Sequence, residues 1–155
     1  MIRRAGLAAG TFYNYFPDKA AVFRAVVEDT GAEARRRVRA ARTGVDGFPA
    51  FVEEGFGAYF AFIAEDPATF AFLRRNLATL RAAGVDAVLP LGIAELAEDL
   101  RALAPGRLDV DYCAHAMVAV GVELGARLIE RDPPDVAGAT RFATSLFLDG
   151  LGGRA

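Results

Sequence analysis

Gly10-Thr11-Phe12-Tyr13-Asn14-Tyr15-Phe16-Pro17-Asp18-Lys19, followed by Val22-Phe23, interleaves aromatic side chains with hydroxyls and an amide at helical spacing. Leu7, Phe12 and Phe16 fall on one side of such a helix, while Thr11, Tyr13, Asn14 and Tyr15 point largely away from it. One apolar side for its own core, and one polar side that can bond phosphates or base edges, is what the second helix of a helix-turn-helix requires in the major groove. Gly6 before Leu7 suits the turn, and Lys19 stands at the start of the next helix.

Charge is distributed to match. Residues 1–42 hold nine Lys/Arg against four acids, a balance of +5, so the remainder carries −7 of an overall −2. A basic head on an acidic body places any polyanion at the head, and a pI near 5.4 argues against indiscriminate coating of nucleic acid. The single cysteine, Cys113, cannot form an internal disulfide, and the opening residues lack a charged-then-apolar leader, so a reducing cytoplasm is expected. The most apolar run, Tyr112 to Ile129, contains His115, Glu123 and Arg127, which reads as a buried helix and predicts no membrane partner.

Outward from the opening motif the chain predicts an all-α fold. Ala, Leu, Glu and Arg dominate between Gly and Pro punctuation, and strand-like alternation is absent. Asp18 is placed to cap a helix bearing Val22, Phe23, Val26 and Val27 that runs through Arg35 to Arg42 and stops before Gly44. Its arginine run reads as a solvated face or an ion-pair strip at a domain junction. Further helices are expected over Phe48 to Glu65, Pro67 to Ala83, from about Pro90 to Pro105, and over Asp111–Arg131 and Pro134–Leu151.

The opening stretch resembles the TetR family, the tetracycline-repressor-like bacterial regulators. The pattern is a Thr-Phe/Leu-Tyr-x-Tyr/His-Phe recognition helix with a Lys in the next turn, here Thr11-Phe12-Tyr13-Asn14-Tyr15-Phe16 and Lys19. The resemblance implies that Thr11, Tyr13, Tyr15 and Lys19 contact phosphates and that Ala9, Gly10 and Asn14 lie near base edges. It implies a helix-turn-helix head with its linking helix over residues 1–43 and a helical ligand-binding and dimerisation body over 44–155. The implied partners are double-stranded operator DNA with a palindromic site, a small apolar effector and a second copy in a homodimer, with no cofactor. The implied activity is that of a repressor released by its effector. Met1 to Ala5 match only the end of the family's second helix, so the head is expected to be N-terminally incomplete, lacking the first helix and most of the second. The alternative reading is a truncated, DNA-incompetent dimerisation or ligand-binding module.

Within the body, the family pocket would draw on Phe56, Tyr59, Phe60, Phe70, Leu73 and Leu77, with Asn76, Tyr112, His115 and Glu123 as polar handles. Gly121-Val122-Glu123-Leu124-Gly125 sets two glycines one turn apart, a spacing that lets helices approach closely. Gly121, Leu124, Gly125 and Leu128, with Phe142, Leu146 and Phe147, are the expected dimer face. No catalytic or metal site is expected: His115 is the only histidine, and nucleophile-elbow, phosphate-loop and dinucleotide fingerprints are missing.

Overall fold

The computed structural model describes residues 19–76, 88–103, 106 and 108–150, and there six helices are found and no strand. In chain order they are α1 (Lys19–Arg42), α2 (Gly47–Glu65), α3 (Pro67–Arg75), α4 (Val88–Leu103), α5 (Val110–Leu128) and α6 (Val136–Leu148).

Local chemistry sets the ends of these helices. Arg39 and Arg42 occupy the last turn of α1, where positive charge complements the helix dipole. The Thr43 hydroxyl then donates to the Arg39 carbonyl at 2.9 Å, and Gly44 takes the left-handed conformation at φ +77° that stops the helix. Asp66 caps α3, accepting from the Thr69 backbone N–H at 3.1 Å and its hydroxyl at 2.8 Å, with Pro67 in the first turn. Asp109 and Asp135 cap α5 and α6 in the same way. The third helix is shorter than the spacing predicts, ending at Arg75 where the Asn76 amide donates to the Phe72 carbonyl at 2.8 Å. The Asn76 backbone N–H shares that carbonyl at 3.2 Å, so the side chain adds a second bond at the C-cap, a position that suits asparagine. Residues 77–87 lie outside the described residues.

The second helix is central: α1, α3, α5 and α6 all pack on it. Phe51, Val52, Phe56, Phe60 and Ile63 recur at three- and four-residue steps and are buried, and Leu96, Leu100, Cys113, Ala114, Met117, Leu128 and Ala143 complete the core. Each large side chain so buried contributes about 1.5–3 kcal/mol. Close approach of α5 to α2 depends on its glycines. A Cβ at Gly121 would lie 3.5 Å from the Tyr59 ring, and one at Gly125 would lie 2.5 Å from Ile63 Cδ1.

That placement bears on the residues expected at a dimer face. Gly121, Gly125 and Leu128 are buried inside the protomer, because α5 turns its small residues toward the bulky aromatic face of α2. Phe147 also points inward, its ring stacked on Phe56 at 5.7 Å, and Leu124 packs against the core. Leu146 is half-buried, whereas Phe142 is 51% exposed.

Candidate functional site

Between α1 and the body lies a cavity of about 280 Å³. One wall is a single face of α1, made by Val27, Gly31, Ala34, Val38 and Arg42 at helical spacing, with Arg35 and Arg39 beside it. The opposite walls are Phe56, Tyr59 and Ile63 of α2, Phe70 and Leu73 of α3, Leu96 of α4, and Met117 and Val118 of α5. The lining is therefore mainly hydrophobic and aromatic with a few polar groups, as small-molecule sites are. Burial raises the pKa of the Tyr59 phenol above its ordinary value, so its hydroxyl stays protonated and able to donate.

Helix α1 is seated on the body by an aromatic stack of Phe23 on Phe72 at 4.9 Å and by charged groups. Arg37 donates to Glu33 within its own helix at 2.7 Å and to Glu65 of α2 at 2.6 Å, and its guanidinium lies 5.1 Å from the Phe62 ring centre. Hydrogen bonds from Arg36 and then Arg37 hold the Glu33 carboxyl down to about 2. Arg42 closes the cavity at the end of α1, with its guanidinium 4.6 Å from the Phe51 ring centre. Burial, partly opposed by the charge of Asp99, lowers Arg42 to about 10, so it remains a cation at neutral pH.

The segment ahead of this helix is where comparison with known proteins speaks. Residues 2–26 match the family model described as bacterial regulatory proteins, tetR family. Over that opening segment the chain is similar to the tetR family. No curated protein matches it. The match runs into α1, so the helix that walls the cavity begins inside the segment that is similar to that family. Among the described residues, no helix is long and apolar enough to cross a membrane, and no group of three or more His, Cys, Asp or Glu could hold a metal ion.

Of the residues expected to meet DNA, Ala9, Gly10, Thr11, Tyr13, Asn14 and Tyr15 lie outside the described residues, and Lys19 is the first residue of α1. Of those expected around a ligand, Phe56, Tyr59, Phe70 and Leu73 come together in the cavity wall. Phe60 does not; it is fully buried in the core. Asn76 spends its amide on the cap of α3, and Leu77 lies outside the described residues. Tyr112 is 76% exposed, and the exposed His115 has Nδ1 2.9 Å from the Asp111 carbonyl; neither lines the cavity. Glu123 is exposed and reaches the site only through Arg74, a wall residue, at 3.3 Å.

The sequence reading passed over the whole contribution of α1. Arg35 to Arg42 read as a solvated face or an ion-pair strip at a domain junction, and Arg36 and Arg37 do form ion pairs, to Glu33 and Glu65. Arg42 instead lines the cavity. The available signal was the apolar run of Val27, Gly31, Ala34 and Val38 at three- and four-residue steps, which Arg42 ends on the same face.

Proposed function

We propose that this chain is a ligand-responsive transcriptional repressor of the cytoplasm, in which the segment up to residue 43 binds DNA and the remainder binds an effector and pairs with a second copy. One observation carries the reading. Helix α1 emerges from the DNA-binding segment, and its later turns form one wall of the apolar cavity. An effector that fits the cavity better when α1 is displaced than when it is docked shifts the head by that difference in affinity, and by no more. The seat of α1 on ion pairs and cation–π contacts suits such movement. On the opposite flank, Phe142 and Tyr112 leave apolar surface outside the protomer, which supports pairing through the outer side of α5 and α6.

Selection from a random duplex library with the purified chain tests the reading. An inverted repeat with half-sites about one helical turn or a multiple apart is expected. Lys19→Ala and Tyr13→Phe should weaken binding to all selected duplexes alike, and Asn14→Ala should change which bases are preferred. Selection of no sequence by a folded dimer would overturn it.

A further inference from the structure

The cavity carries more chemical information than its apolar walls suggest. Four guanidinium groups line it, Arg35, Arg39, Arg42 and Arg74, against two carboxylates, Glu95 and Asp99, so the lining is cationic. Arg35 faces Glu95 at 3.8 Å and Arg74 is paired with Glu123 at 3.3 Å. Arg42 makes neither hydrogen bond nor ion pair with any described residue, and its Nε atom is sealed from solvent without a partner. Leaving a charged donor so placed is costly unless something else satisfies it.

The neighbouring chain makes room for that guanidinium. A Cβ on Gly55 would sit 2.5 Å from Arg42 Nε and 2.8 Å from Nη2, so only glycine at this position of α2 lets the fork lie where it does. The surfaces beyond it, from Phe56, Tyr59, Phe70, Leu73, Met117 and Val118, are apolar or aromatic. A partner for Arg42 must therefore combine one acceptor head with a hydrophobic remainder. A single planar fork matches one carboxylate with two parallel bonds.

We propose that the ligand of this cavity is an amphipathic monocarboxylate, its carboxylate bonded to Arg42 and its apolar body lying against α2, α3 and α5. This names the chemical class of the effector and rests on the cavity being the effector site. The nearby Asp99 then acts as a brake, because its negative charge opposes the carboxylate that Arg42 attracts.

Calorimetric titration of the full chain with decanoate and with 1-decanol, which share length and differ in head group, separates the possibilities. Decanoate is expected to bind at least about tenfold more tightly than 1-decanol, as one charge-assisted pair implies. Arg42→Met should abolish that preference by weakening decanoate far more than 1-decanol, and Asp99→Asn should tighten decanoate binding. If both ligands bind the wild type and both variants alike, the carboxylate assignment is overturned and the effector-site reading stands. If neither ligand binds the wild type, both fall. Should Arg42→Met fail to fold, Asp99→Asn decides alone, and an unchanged decanoate affinity overturns the proposal.

Discussion

Helix α2 meets α6 on one flank and α1 on another, and the two contacts are made of different materials. Toward α6, Phe56 stacks on Phe147, Ala143 is fully buried, and Gly57 leaves only ordinary contact distance to Thr140. Toward α1, contact is made through Arg37 on Glu65 and Phe62 and through Arg42 on Phe51, and the space between the helices is left as a cavity. Dense apolar packing tolerates little displacement, because a shift of a fraction of an ångström forfeits many dispersion contacts at once. Ion pairs and cation–π contacts at a half-exposed junction are individually small and can be remade after a shift. The difference separates a junction packed through apolar side chains from one that encloses a space.

The largest test of that contrast is in the core. Phe60→Ala should cost about 3–5 kcal/mol, while Leu73→Ala, which already faces open space on one side, should cost clearly less. Urea unfolding of the two variants measures both losses, and equal costs would break the comparison.

Glycines sharpen it at an intermediate scale. Gly125→Ala forces a Cβ to within 2.5 Å of the buried Ile63 Cδ1 and should destabilise by about 1–3 kcal/mol. Gly57→Ala meets its nearest neighbour, Thr140 Cγ2, at 3.7 Å and should instead stabilise by up to about 1 kcal/mol through helix propensity. Thermal melts that move in the same direction for both would show that the fit of α2 against its neighbours is not as described.

The smallest effect concerns the seat of α1. Glu33 titrates near 2 in the folded chain against an ordinary 4.5, so its contribution to stability is complete above about pH 4.5 and is lost as pH falls toward 2. Glu33→Gln should therefore flatten the dependence of melting temperature on pH within that window, and added salt should blunt the wild-type dependence because the group is exposed. A wild-type profile insensitive to salt and to Glu33→Gln would remove the electrostatic seat from the comparison.

How far each feature could be read ahead depended on how local its cause is. The second helix was visible in Phe48, Phe51, Val52, Phe56, Tyr59, Phe60 and Ile63, because a 3.6-residue period is written into near neighbours. Pro67 announced the start of α3 for the same reason. Its end was misplaced, since whether Asn76 turns back onto the Phe72 carbonyl or continues the helix is a balance between two nearly equal local options. The glycine pair of α5 signalled close helix approach correctly, but its partner proved to be α2 of the same protomer. Spacing reports that a helix can be approached and says nothing about which helix approaches.

By itself, then, the order of residues determined the helical class and, through Thr11 to Lys19, the resemblance of the opening segment to the tetR family. Tertiary structure alone decided that Phe60 fills the core while Phe56 and Tyr59 face a cavity, and that Arg42 lies beside Gly55 with its Nε lacking a hydrogen-bond partner. The reason is geometric. Periodicity, capping and short-range ion pairs depend on residues a few positions apart, whereas a cavity is a space left between helices distant in sequence and has no local signature.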